Sequence, residues 1–95
     1  MITKEEAYKI ALEVLKKEDI EYFSIDDVND IRFESKEELG YPIPVGKFKG
    51  GKIDLFIVTY GEYWGLEERS MFIDINGETG EALYITTPHD FIELG

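Results

Sequence analysis

The sequence contains no cysteine and only one histidine, His89. Without cysteine, the chain has neither a disulfide framework nor a thiolate metal site. His89 precedes Asp90 and could act as a general base, but a catalytic dyad also needs a nucleophile in a fitting position. The three serines, Ser24, Ser35 and Ser70, lie in no context typical of a nucleophile elbow. We therefore predict a protein that is not an enzyme.

Long apolar segments are also missing. No stretch approaches the ~18 consecutive apolar residues of a membrane-spanning helix. The opening residues, "MITKEEAYKIALEVLKK", are charged throughout and lack the small-residue cleavage site of a signal peptide. We expect a protein without a membrane segment that is located in the cytoplasm.

Positive charge is scarce. The chain has 10 lysines and arginines against 21 aspartates and glutamates, which gives a net charge of −11. Both ends are acidic, since residues 1–40 carry 12 acids and 6 bases and residues 67–95 carry 7 and 1. Such a surface repels nucleic acids and anionic membranes and attracts cationic proteins. Solubility alone is the simpler interpretation of this charge.

The apolar residues that are present are sufficient for one core. Hydrophobic residues make up 43% of the 95 positions, too many for a disordered chain, while two separate cores would each be too small. Residues 1–95 are therefore predicted to form a single domain. Thr3 and Glu6 have the spacing of a capping box, which predicts a helix from about Thr3 to Glu18. One apolar stripe marks its buried face: Ala7, Ile10, Ala11, Val14 and Leu15.

Residues 24–39 are compatible with a helix or a strand. Ser24 with Asp27 offers a second N-cap, and apolar residues follow at intervals of three, whereas residues 31–34 alternate in the manner of a half-buried strand. We predict a short turn at Ser24–Asp27 and a strand from about Val28 to Glu34. The helix remains the alternative.

The rest of the chain predicts strands and turns. Glycines and prolines indicate a loop at residues 40–52, and β-rich residues predict a strand from Ile53 to Tyr60. After a connection at 61–68, strands at 69–75 and 81–87 flank a hairpin turn, and residues 89–94 lie along the sheet edge or form a tail. The predicted fold is α+β, with the helix packed on a four-stranded antiparallel sheet in a cystatin-like, two-layer arrangement.

Two stretches resemble ligand-binding loops only in part. Asp74, Asn76 and Glu78 alternate like calcium ligands, but an EF-hand needs glycine and glutamate where Thr79 and Ile85 stand. Gly77 and Gly80 are instead expected to allow positive φ in a turn. Residues 46–52, "GKFKGGK", resemble a phosphate-binding P-loop. The residue that follows is Ile53 rather than serine or threonine, and a strand is predicted where a helix is required.

We accordingly expect no nucleotide, no metal and no other cofactor. Lys47, Lys49 and Lys52 form either a solvated basic loop or a set of partners for the acids of the chain. Three nearby carboxylates could hold a cation loosely, but such a cluster more often caps a turn: Asp26, Asp27 and Asp30.

The stretch "YGEYWGLEER" is the candidate partner-binding site. Tyr63 and Trp64 lie in a glycine-bounded connection, and such large side chains concentrate binding energy at protein interfaces. Three carboxylates border them: Glu62, Glu67 and Glu68. The alternative is that Trp64 folds back and covers one end of the core.

The stretches "ITKEEAYKIALEVLK" and "FIDINGETGEALYI" resemble the opening helix and the closing hairpin of PepSY-type domains and of YrhB-type small bacterial immunity proteins. The matching hairpin positions are Asp74, Thr79, Gly80 and Glu81. This resemblance implies a non-catalytic, protein-binding domain. Small, acidic, cytoplasmic immunity proteins accord better with this chain than secreted or membrane-attached PepSY members, so the implied partner is a basic bacterial toxin.

A second hypothesis is a small-molecule-binding or enzymatic domain of the cystatin-like type. Its pocket would lie on the concave face of the sheet and would be lined by some of four residues: Tyr22, Tyr60, Trp64 and His89.

Overall fold

The N-terminal helix, α1, extends over Lys4–Lys17 in a computed structural model that describes residues 1–94. The capping box is present, because Glu6 N donates to Thr3 Oγ1 over 3.1 Å and Thr3 N donates to a Glu6 carboxylate oxygen over 3.0 Å. The predicted helix is therefore confirmed. Within residues 1–94, no helix is both long and apolar enough to span a lipid bilayer.

The sheet has six strands over residues 1–94, and all of their pairings are antiparallel. The strands are β1 Ser24–Ile25, β2 Arg32–Glu34, β3 Leu55–Trp64, β4 Glu67–Asn76, β5 Ala82–Thr86 and β6 Phe91–Glu93. The last four form a meander, β3-β4-β5-β6, while β1 and β2 both pair with the free edge of β3 at different heights.

The α+β class is thus confirmed, but the predicted number of four strands is wrong. The expected turn at Ser24–Asp27 contains β1, and the expected strand from Val28 begins only at Arg32 because Val28–Asp30 forms a 3₁₀ helix. Strands of two and three residues are too short to produce a recognisable apolar period. Residues 89–94, left open between edge and tail, include the edge strand β6.

The predicted connection at residues 61–68 is mostly strand. β3 continues to Trp64, β4 begins at Glu67, and only Gly65 and Leu66 lie between them. Gly65 has a φ of +68°, at the position where a type II′ turn takes glycine. Gly61 interrupts the apolar pattern inside β3 because the Phe23 ring lies against it, 2.9 Å from where a Cβ would stand.

One face of the sheet, the helix face, is sealed by α1. Ala7, Ala11 and Leu15 are completely or almost completely buried, and Val14 is buried at the margin of the same cluster. They pack on the side chains of the central strands that point to this face, among them Val58 and Ile73. The predicted burial is confirmed for these four residues of the helix stripe, while Ile10 is only partly buried.

The opposite face is covered by irregular chain, residues 35–53, named here the covering loop. Leu39 and Ile43 of this loop are buried with Leu55, Ile57 and Leu83 in a second apolar cluster. The covering loop shields only part of this face, so a groove stays open beside it. The structure therefore has a third, irregular layer, the covering loop, in addition to the predicted layers of helix and sheet.

Candidate functional site

The hairpin tip, residues 62–68, contains all five residues of the predicted partner-binding site. Antiparallel pairing places Tyr63 opposite Glu68, Trp64 opposite Glu67 and Glu62 opposite Arg69. Tyr63 is 59% exposed and Trp64 39%, and Leu66 in the turn is fully exposed. The structure therefore brings these residues to one end of the molecule and leaves their apolar surface in solvent.

The five residues do not share one face of the hairpin. Neighbouring residues of a strand point to opposite sides, so Tyr63 and Glu68 lie on the groove side, whereas Trp64 and Glu67 lie on the helix side. On the groove side, the Phe23 ring packs against Tyr63 with their centroids 4.4 Å apart. Phe23 is itself 44% exposed and extends this aromatic surface. Sequence reasoning did not include it.

The charge at the hairpin tip is partly paired. Glu67 forms an ion pair with Arg69, and the Tyr63 hydroxyl donates to a Glu68 oxygen over 3.4 Å. Burial, and next the nearby Glu62 carboxylate, raise the pKa of the Tyr60 phenol above its usual range. The hairpin tip nevertheless retains an excess of negative charge, because its three glutamates face the single arginine.

Trp64 is 39% exposed at the hairpin tip. It belongs to neither of the buried apolar clusters, and its ring lies 6.1 Å from that of His89, centroid to centroid. Tyr60 is buried beneath α1, and Tyr22 is exposed. Of the four residues from which a pocket lining was predicted, Trp64 and His89 lie close together, and a pocket formed by some of the four stays a prediction.

A groove of about 410 Å³ lies on the face of the sheet away from α1. Strand register places Arg32, Ile57, Asp74 and Tyr84 in one row across β2, β3, β4 and β5, all pointing to this face. Phe72 and Phe91 extend the floor of the groove, and residues 38–41 of the covering loop form its wall. The groove is thus lined by aromatic rings with a few charged groups between them.

Asp74 is the deepest charged group of the groove, with an exposed fraction of 6%. Burial raises the pKa of its carboxyl to about 7, because loss of hydration disfavours the charged form. Hydrogen bonding to the Tyr84 hydroxyl opposes this rise, while Glu34 adds to it and Arg32 opposes it. Burial, followed by the Asp74 charge, raises the pKa of Tyr84 above its usual range.

Arg32 lies at the β2 side of the groove. One of its terminal nitrogens, Nη1, is 3.8 Å from a Glu34 carboxylate oxygen, and its guanidinium carbon lies 6.0 Å from the centre of the Phe72 ring. Its charge is therefore shared between a neighbouring acid and an aromatic face.

The turn after β4 explains the pattern that resembles a calcium loop. Asn76 Oδ1 accepts from the backbone N–H of Glu78 over 2.9 Å, and Gly80 has a φ of +80°. Gly77 does not have positive φ, contrary to expectation; a Cβ there would lie 3.1 Å from the Asp54 carbonyl oxygen. Asp74 belongs to the strand, not to the turn. Among residues 1–94, no three potential metal-ligating side chains are grouped suitably for an ion.

One lysine of the lysine-rich loop and one acid of residues 26–30 make contacts within the protein. Lys47 Nζ lies 2.7 Å from a Glu81 carboxylate oxygen, so one of the three lysines pairs with an acid of the chain. β3 follows this loop where a nucleotide site would need a helix. Asp26 Oδ2 accepts from the Thr59 backbone N–H over 2.9 Å and joins β1 to β3.

Sequence reasoning missed the groove, although one signal was present. In "MFIDIN", an aspartate stands between two isoleucines of a strand, and alternation places it on the face opposite to theirs. Its burial depends on the covering loop, which has no periodic pattern.

Comparison of the chain with family models, curated proteins and solved structures gave no match.

Proposed function

We propose that this protein is a non-catalytic protein-binding module that inserts its hairpin tip into a cleft of a basic partner. The observation that carries the proposal is the exposure of apolar side chains on both faces of one hairpin, with Tyr63 on one side and Trp64 on the other. Aromatic residues in such positions supply much of the binding energy of protein interfaces.

A partner with a cleft accords with this geometry better than a flat partner. A flat surface can contact only one face of a two-stranded ribbon, and it would leave either Tyr63 or Trp64 in water. A cleft encloses both faces together with Leu66 at the turn. Burial of these side chains then provides the short-range part of the affinity.

Charge selects a basic partner. The net charge of −11 raises association rates with cationic proteins, and Glu62, Glu67 and Glu68 border the aromatic residues. Within this proposal the fold is of the cystatin-like type and the protein acts in the cytoplasm. The resemblance to YrhB-type proteins suggests an immunity protein, and its partner would be a basic bacterial toxin, such as a nuclease with a cationic active cleft.

The experiment begins with capture of the partner from native cell extract, followed by its purification and surface plasmon resonance. Trp64→Ala should raise the dissociation rate constant at least about tenfold, as expected for loss of an interface anchor. Tyr41→Ala is the matched control, because it removes an exposed aromatic residue outside the hairpin tip. The control should bind like the wild type.

The contribution of the glutamates to partner binding is tested by reversing their charge. Glu67→Lys combined with Glu68→Lys should mainly slow association and weaken its salt dependence, since steering depends on charges near the contact. Glu13→Lys with Glu21→Lys changes the net charge equally at exposed positions outside the hairpin tip. Failure to retain any protein, retention of an acidic partner, or equal effects of the two double variants would contradict the proposal.

A further inference from the structure

We propose that the groove on the face of the sheet away from α1 binds a small organic cation, a primary amine or guanidinium attached to an apolar body, with Asp74 as its counter-ion. This site does not depend on the hairpin tip. Asp74 pairs with Ile57, six residues before Tyr63, which corresponds to a separation of roughly 20 Å along the strand.

The first argument is the unpaired state of the buried carboxyl. Asp74 is 6% exposed and lines the groove, and within residues 1–94 no cationic group lies in ion-pair distance of it. Arg32, the base that lines the groove, has its Nη1 3.8 Å from a Glu34 carboxylate oxygen and its guanidinium carbon 6.0 Å from the centre of the Phe72 ring. The Tyr84 hydroxyl is a hydrogen-bond partner of Asp74 but carries no positive charge. A buried carboxylate without a countercharge is costly, and a ligand cation would supply the missing one.

The second argument is the aromatic lining. Phe72 and Tyr84 lie beside Asp74 on the floor, and Tyr41 and Phe91 contribute from the covering loop and from β6. Aromatic faces attract organic cations and also accommodate apolar groups. The Arg32 guanidinium, 6.0 Å from the centre of the Phe72 ring, already illustrates this contact inside the groove.

The charges of the groove distinguish between ligand classes. Three acids line it, Glu34, Glu38 and Asp74, against one base, so an anion is disfavoured. The three carboxyls do not form a metal-binding group among residues 1–94. A divalent ion is therefore less suited to the groove than an organic cation. The volume of about 410 Å³ is within the common range for small-molecule sites.

Binding should be linked to protonation of Asp74, because only its ionised form is a counter-ion. The groups that face it are Arg32 and Glu34 from β2, Tyr84 from β5, and Glu38 and Tyr41 from the covering loop. The raised pKa, about 7, means that the cation must displace a proton at acidic pH. Affinity should therefore increase from pH 6 to pH 8 by about tenfold and then level off.

The test is calorimetric titration with phenethylamine, with 2-phenylethanol as the uncharged analogue and 3-phenylpropionate as the anionic one. At pH 8 we expect saturable binding of the amine that is at least about tenfold tighter than that of the alcohol, and no binding of the anion. At pH 6, titrations in buffers of different ionisation enthalpy should reveal proton release by the protein.

Asp74→Asn should weaken amine binding at least about tenfold and remove both the pH dependence and the proton release. Asp27→Asn is the matched control, because that carboxylate is exposed and makes no capping hydrogen bond. Tyr41→Ala, at a 70% exposed position where folding is not at risk, should weaken binding about threefold or more through loss of a ring.

Absence of saturable amine binding, equal affinity for the alcohol, or unchanged binding by Asp74→Asn would overturn the proposal. Thermal melting of each variant identifies any that does not fold. If Asp74→Asn does not fold, the proposal is tested by the amine affinity of Tyr41→Ala and by the pH dependence of amine binding to the wild type.

Discussion

The two faces of the sheet are built from the same strands but differ in what covers them. On the helix face, α1 places small and branched apolar residues over β3 and β4, and the buried cluster contains no charged group. On the groove face, the covering loop buries Leu39 and Ile43 but leaves Asp74 at the floor of an open groove. A regular element brings side chains at constant intervals and can seal a surface, whereas an irregular segment covers it unevenly.

α1 and the covering loop are also attached to the sheet by different interactions. α1 is held mainly by burial of its apolar stripe. The covering loop combines its two buried residues with polar contacts, among them the Lys36 backbone N–H to Asp54 Oδ1 at 2.8 Å and Lys47 to Glu81. Exposed polar contacts contribute less to stability than apolar burial does. Four substitutions test the comparison of the two faces, in order of decreasing expected effect.

The largest effect is expected for Val14→Asp on the helix face. A carboxylate placed among the residues of the apolar cluster has no partner, and its burial costs several kcal/mol, comparable with a total stability of ~5–15 kcal/mol. Circular dichroism should show an unfolded or strongly destabilised protein. Glu13→Asp, at the exposed neighbouring position, should change stability by less than about 0.5 kcal/mol. An unchanged melting temperature for Val14→Asp would mean that the helix face is not sealed.

The second largest effect on stability is expected at Asp74, and its size depends on pH. Its pKa is about 7 in the folded protein against an ordinary value of 3.8, so folding favours the protonated carboxyl. The stabilising contribution of Asp74 is therefore complete below about pH 4 and is lost as the pH rises to about 7. The two pKa values set an upper bound of roughly 4 kcal/mol for this loss.

Asp74→Asn should remove this dependence, because an amide does not ionise. At pH 8 the variant should be more stable than the wild type by about 1–3 kcal/mol, and near pH 4 the advantage should disappear. Urea unfolding at pH 4, 6 and 8 provides the measurement, with Asp27→Asn as control. A constant difference between variant and wild type across this range would contradict the raised pKa.

The third effect is expected at Gly61, where Phe23 covers the groove side of β3. An alanine Cβ would lie 2.7 Å from Ser24 Oγ and 2.9 Å from two atoms of the Phe23 ring. Phe23 and β1 would have to move, which should cost about 1–3 kcal/mol in urea unfolding. Gly40→Ala is the control, since nothing lies within 4 Å of its Cβ position. Equal stability of both variants would show that Phe23 and β1 can shift without loss of unfolding free energy.

The smallest effect is expected for Lys47→Ala in the covering loop. Its ion pair with Glu81 is short, at 2.7 Å, but both side chains are largely exposed. Solvent screening should limit the loss of unfolding free energy to about 0–1 kcal/mol. Thermal melting at low and high salt is the measurement. A loss above 2 kcal/mol would mean that polar contacts, rather than Leu39 and Ile43, hold the covering loop.

Local signals were sufficient for the parts of the fold that local interactions determine. Thr3 and Glu6 are three residues apart and complete each other's hydrogen bonds, so the start of α1 could be predicted from neighbouring positions alone. The turn at residues 76–80 was likewise predictable, because Asn76 and Gly80 act within that segment. The aromatic residues of the hairpin tip were identified, although their division between two faces required the extent of β3 and β4.

Contacts between distant segments decided the rest. β1 and β2 are strands only because the edge of β3 supplies their hydrogen-bond partners, and every paired residue lies 21 or more positions away in the sequence. Asp74 is buried because Tyr84 and the covering loop surround it, and its pKa follows from that burial. The sequence by itself determined the helix, the turns and the apolar alternation, since these depend on neighbouring residues. The tertiary structure decided the edge strands, the groove and the charge state of Asp74, because the surroundings that set them come from separate parts of the chain.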